Sequence, residues 1–182
     1  MGKQKNLLYI FADQWRAHAV GAAGEDPVAT PNMDRFAQES MSCTNAISTY
    51  PLCSPHRASL MTGKYPTSCG MWTNCKIGLD EVVMLKPQEI TISDVLHDCG
   101  YATAYIGKWH LDGGDYFGYG KCPDGWDPEY WYDMRCYLEE LTDEERMKSR
   151  KRATSFEPDM TEGFTYAHRC CNRAIRFLDQ YS

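Results

Sequence analysis

Long hydrophobic runs are absent from this chain. The first apolar stretch, residues 7–12 of "KQKNLLYIFADQW", has six residues. A membrane span needs roughly 20, and the core of a secretion signal roughly 7–15. No membrane association is therefore expected, and the chain reads as cytoplasmic. No basic stripe is concentrated anywhere and the formal net charge is −6, so nucleic acid is not an expected partner. The densest charge run, "DEERMKSRKR" at 143–152, switches from acid to base and reads as a solvated helix or loop. There is no C-x-x-C pair and no H-E-x-x-H, which leaves a zinc ribbon or zincin centre without support. Internal repeats and low-complexity tracts are missing as well.

Cysteine, by contrast, is plentiful: nine residues, at 43, 53, 69, 75, 99, 122, 136, 170 and 171. The number is odd and no secretion signal is seen, so free thiols in a reducing compartment are expected rather than a disulfide framework. The composition, 43% hydrophobic and 24% charged, is that of a globular protein. A length of 182 residues suits one domain that buries roughly two-thirds of its unfolded surface.

Residues 7–12 read as a central strand of a parallel sheet, delivering Asp13 at its carboxyl end. "TPNMDRF" opens a helix capped by Thr30 or Asn32, with Pro31 in its first turn. Residues 42–49 read as a second strand. A short helix follows at 54–61, stopped by Gly63, and another at 92–98, stopped by Gly100. "YATAYIG" at 101–107 reads as a third strand, with Lys108 and His110 just beyond it. Residues 113–131 are rich in glycine, aspartate and aromatics and read as an irregular surface segment. Residues 161–181 read as a helix with Ala167, Cys171, Ile175 and Leu178 on its apolar face. Alternating strands and helices predict an α/β fold, in which ligands bind beyond the carboxyl ends of the strands.

Within "YPLCSPHRASLMTGKYP", Cys53 falls at the first turn of a helix. Unpaired backbone N–H groups and the helix dipole make that position a nest for an anion and lower a thiol pKa. Pro55 suits the same turn, and Arg57 can turn a planar, permanently charged fork back toward it. A buried cysteine with a surface arginine would fit the spacing equally well.

Here the sequence resembles the sulfatase family. "CSPHRASLMTG" resembles the C-x-P-x-R signature and its short helix ending in Leu/Met-Thr-Gly. "FADQWR" resembles the metal-binding first strand, "TPNMDRFA" the T-P-N-x-D-x-L-A helix, and "GYATAYIGKWHL" the second signature. These four stretches keep the family's order over about residues 6–111, and "AHRCCNRAIRFLDQ" resembles a later helix more weakly. The resemblance implies the N-terminal part of an alkaline-phosphatase-like three-layer α/β/α sandwich with a mostly parallel sheet. It makes residues 1–182 a single, incomplete catalytic domain. It implies a sulfuric ester hydrolase in which a maturation enzyme converts Cys53 to Cα-formylglycine, whose hydrated aldehyde is the nucleophile. The second hydroxyl of that hydrate lets the sulfated hemiacetal collapse without water attacking sulfur. Arg57, Lys108 and His110 complete the implied catalytic set, and Lys108, His110 and Asn74 hold the substrate sulfate. Asp13, Gln14 and the modified Cys53 are the implied ligands of a divalent cation, calcium foremost, magnesium or manganese otherwise. Gln14 stands where many members carry a second aspartate. The implied substrate is a sulfated small molecule or carbohydrate.

Family members are considerably longer, and their remaining metal ligands lie in a second half that residues 1–182 do not contain. The resemblance thus implies an N-terminal portion that turns over little substrate alone, with an open sheet edge prone to self-association. Three alternatives stay open: a phosphodiester or phosphonate monoester hydrolase of the same superfamily, a non-catalytic truncated binding module, and an unmodified Cys53–His110 nucleophile pair.

Overall fold

A computed structural model describes residues 5–24, 26–75, 82–150 and 161–181. It divides into two compact units, Met1–Ser48 and Thr49–Ser182.

In the first unit, helix α1 spans Pro31–Gln38, with proline at its first position as expected. Thr30 does not cap the helix amides with its side chain. Its hydroxyl donates to Asp34 Oδ1 and accepts from the Gly21 amide, both at 2.8 Å. The Asp34 carboxylate also accepts from the Ala22 amide at 2.8 Å, so the first turn of α1 stitches down the 3-10 turn Gly21–Ala23. The approach is so close that a Cβ on Gly21 would lie 2.5 Å from Asp34 Oδ2. The expected strand at 7–12 does not form. Those residues run without a hydrogen-bonded ladder, and Ile10 is 83% exposed. Residues 42–49 likewise form no strand. An apolar run becomes a strand only through ladder partners, which a local pattern does not provide.

The second unit is mixed α/β. Helix α2, Cys53–Thr62, ends where Gly63 takes φ +68° and donates its amide to the Ser59 carbonyl at 2.9 Å. Helix α3, Ile92–Asp98, is opened by Asp94, whose carboxylate accepts from the Thr91 amide at 2.7 Å. The strand expected over 101–107 contracts to β1, Tyr105–Ile106, which pairs in parallel with β2, Trp131–Tyr132. Helices α4 (Met134–Glu140), α5 (Asp143–Arg150) and α6 (Tyr166–Tyr181) follow. The charge run at 143–152 is thus largely α5, while its last two residues lie outside the described set.

The core gathers on the aromatic side chains around the strand pair. The Tyr105 ring stacks on Trp131 at 5.2 Å and meets Trp109 and Trp126 edge-on at 5.0 and 5.2 Å. Ala58 and Met61 of α2, with Met71, Val83, Leu85 and Leu111, close around this group. The packed face of α6 is not the expected one. Ile175 and Leu178 are 49% and 39% exposed, and Cys171 is exposed. Tyr166 and Cys170 pack against the Tyr132–Tyr137 cluster, and Phe177 and Tyr181 against Tyr130. Among the described residues no disulfide joins any of the cysteines. Among the described residues no helix is long and apolar enough to cross a membrane.

Asp133, which follows β2, is fully buried and caps α4 by accepting from the Cys136 amide at 3.0 Å. Burial raises its carboxyl pKa above the ordinary value. A raised carboxyl pKa means the folded state holds its proton more tightly than the unfolded chain. The stabilising contribution is therefore complete at low pH and is lost as pH rises through the folded value. Asp133→Asn keeps the cap and removes the buried charge, so its melting temperature should match or exceed the parent's at neutral pH. The difference should shrink as pH falls through the raised folded value toward about pH 4, the ordinary carboxyl value. Asp133→Ala should instead lose about 1 kcal/mol through the missing cap. Thermal melts of both variants across that range check the pair.

Candidate active site

Cys53 is the first residue of α2 and is half-buried, with Leu52 extended before it and Pro55 inside the first turn. It therefore occupies the position at which helix amides and dipole favour negative charge. The amide of the next residue, Ser54, is taken by Asn74, whose Oδ1 accepts at 2.9 Å. The Cys75 amide donates to Ser54 Oγ at 3.2 Å, and the Cys75 Sγ donates to the His110 carbonyl at 3.3 Å. Burial holds the Cys75 thiol above its ordinary pKa and so keeps it a neutral S–H donor. Asn74 and Cys75 thus form a clasp between the start of α2 and the loop beyond β1.

A second link runs through Arg57, which is 4% exposed. Its Nη1 donates to the Lys108 carbonyl and, at 3.3 Å, to the Tyr105 hydroxyl. Tyr105 in turn donates to the same Lys108 carbonyl at 2.5 Å. The guanidinium thus engages the backbone turn that carries Lys108, in addition to sharing a helix with Cys53. Sequence reading missed Tyr105 and Cys75. The available signal was the position of Tyr105 inside the motif, three residues before Lys108, where a buried phenol needs a partner.

Lys108 and His110 flank Trp109, whose ring belongs to the aromatic core. Both are buried, at 6% and 5% exposure. His110 has φ +57° and Gln14 φ +46°, the two non-glycine residues with positive φ among those described. That region is costly for residues with a Cβ and recurs at functional sites. Both belong to motifs singled out from the sequence.

Asp13 and Gln14 lie in the first unit and are exposed. Among the described residues no three His, Cys, Asp or Glu side chains come together as a metal-binding group. A hard divalent cation takes roughly six to eight oxygens. The described residues therefore do not by themselves fit a complete cation site.

The Sulfatase family model matches residues 5–181. An uncharacterized sulfatase, YidJ, of Escherichia coli (strain K12) is 41% identical over 98% of this chain, which spans 35% of that protein. An ulvan-active sulfatase of Formosa agariphila is 42% identical over 72% of the chain, which matches 24% of its length. A steryl-sulfatase of Mus musculus is 39% identical over 58% of the chain and 18% of its own. A solved structure of a yidJ protein from Bacteroides fragilis superposes with a TM-score of 0.55 at 37% identity, covering 71% of this chain and 32% of that one. The chain thus spans about a third of the YidJ relative and less of the others.

Proposed function

Because this chain belongs to the sulfatase family, carrying the N-terminal α/β part of its alkaline-phosphatase-like fold, we propose that the whole protein hydrolyses sulfuric esters at a site built on Cys53. Residues 1–182 are then the N-terminal portion of one catalytic domain, matched by a single family model from 5 to 181. The observation that carries the reading is the tie between Cys53 and the lysine–histidine pair. The Asn74–Cys75 clasp joins the start of α2 to the backbone of His110, and Arg57 joins α2 to the backbone of Lys108.

Each residue has a role that follows from its chemistry. Cys53, once converted to formylglycine by a maturation enzyme, supplies a hydroxyl nucleophile at a helix start that favours an anion. Lys108 offers a point charge and His110 a ring donor to the oxygens of a sulfate ester, where charge grows as the ester bond breaks. Arg57 fixes the turn that presents Lys108 and adds positive potential beneath it. Asn74 holds the Ser54 amide, and with it the first turn of α2. Asp13 and Gln14 would contribute oxygens to a divalent cation, calcium foremost, which needs several further ligands. That cation supplies Lewis acidity when bound. The substrate class is a sulfated carbohydrate or small molecule, as the ulvan-active and steryl-sulfatase relatives suggest by name.

The test compares initial rates on 4-nitrophenyl sulfate and bis(4-nitrophenyl) phosphate, using the protein that carries this chain. Faster turnover of the sulfate ester is expected. A clear preference for the diester would move the assignment to phosphodiester hydrolysis, and turnover of neither would leave a binding module.

A further inference from the structure

The loop after His110 is an ordered element rather than an irregular one. The Asp112 carboxylate accepts from the Gly114 amide at 3.0 Å and from the Tyr119 amide at 2.6 Å. The Asp115 carboxylate accepts from the Phe117 amide at 3.0 Å, and its carbonyl from the Gly118 amide at 2.9 Å. Arg135 on α4 donates Nε to the Gly118 carbonyl at 3.0 Å and sets its guanidinium 3.7 Å from the Asp115 carboxylate. Gly118 takes φ +72°, and a Cβ there would lie 2.9 Å from Asp112 Oδ2, so the staple needs this glycine.

The residue this loop presents is Tyr116. The residue is 45% exposed, yet its ring lies on the buried Lys108: the ammonium is 3.7 Å from the ring centroid. The His110 ring sits 5.9 Å away, inclined at 62°, and Phe117 braces the tyrosine from the other side in sequence at 5.7 Å. Lysine is a flexible stem with a rotatable head, so its charge has no fixed place unless something holds it. An aromatic face attracts the ammonium and leaves N–H donors for an anion.

Resting on the sulfate-ester reading above, we propose that Tyr116 is a positioning residue for Lys108. Its ring holds the ammonium beside His110 so that a sulfate group meets a charge already in place. Without the ring Lys108 is still present and can settle on the anion once that is bound, so the cost of ordering it should appear in binding rather than in the chemical step.

The experiment uses Tyr116→Leu and Tyr116→Phe in the protein that carries this chain. It measures kcat and KM on 4-nitrophenyl sulfate and the dissociation constant of inorganic sulfate by calorimetry. For Tyr116→Leu, KM and the sulfate constant should both rise about tenfold, with kcat within about threefold of the parent. Tyr116→Phe keeps the ring face and should stay within about twofold on every measure. Unchanged KM in the leucine variant overturns the proposal, as does a fall in kcat alone. A phenylalanine variant as weak as leucine overturns it too, by assigning the effect to the hydroxyl. If the parent binds sulfate without hydrolysing sulfate esters and leucine weakens that binding, the positioning role stands while the reaction assignment fails. If the parent neither binds sulfate nor hydrolyses its esters, both fall.

Discussion

Cys53→Ala, introduced into the protein that carries this chain, is expected to lower sulfate-ester turnover by on the order of 10⁶-fold, the scale on which removal of a covalent nucleophile acts. Alanine keeps the helix start, since Cys53 is only half-buried and the tie to the clasp runs through Ser54 and its amide. Circular dichroism melts should therefore stay close to the parent's while activity disappears. Mass spectrometry of the parent peptide supplies the complementary observation. Conversion to formylglycine makes the peptide about 18 Da lighter, whereas ordinary thiol oxidation adds oxygen and makes it heavier. A Cys53→Ala variant with activity within tenfold of the parent would remove Cys53 from the mechanism.

Lys108→Ala is the second large effect. Loss of one preorganised donor at the developing charge costs about 3 kcal/mol, or roughly 10²–10³ in kcat. The substitution spares the local architecture, because Arg57 and Tyr105 hold the Lys108 carbonyl and not its side chain. Stability should fall by an amount that includes the lost contact with Tyr116, about 1–2 kcal/mol for a desolvated cation on a ring. Rates and melts measured together separate the two costs. Turnover within a few fold of the parent would make Lys108 a structural cation and withdraw it from the site.

The helices were legible in the sequence wherever their ends carried local chemistry. Pro31 marked the start of α1, Gly63 the end of α2, and the Thr91–Asp94 pair belongs to a helix whose 92–98 span was read correctly. Strands were not legible in the same way. Residues 7–12 and 42–49 have the right composition, yet pairing depends on partners far along the chain, and among the described residues it is confined to β1 and β2. The aliphatic stripe of α6 is not its packed face, because larger aromatic side chains compete with it. Tyr166, Phe177 and Tyr181 supply larger contact areas and decide which side packs. Of the candidate site, the residue identities came from motifs, and their connection did not. The clasp through Cys75 and the hydroxyl of Tyr105 are products of packing, invisible to spacing. Tyr116 sat in a stretch read as irregular because its order comes from side-chain acceptors, not from any periodicity.

The parallel register of Tyr105 with Trp131 has a consequence for how such a protein diversifies. Both ends of the intervening segment are anchored in the same aromatic core, one just before Lys108 and the other just before the α4 cap. Doubling the length of a loop held in this way costs only about 0.6 kcal/mol of closure entropy. The stretch between Leu111 and Trp126, which both pack in that core, can therefore change in length or sequence while the turn that carries Lys108 and the strand pair stay in place.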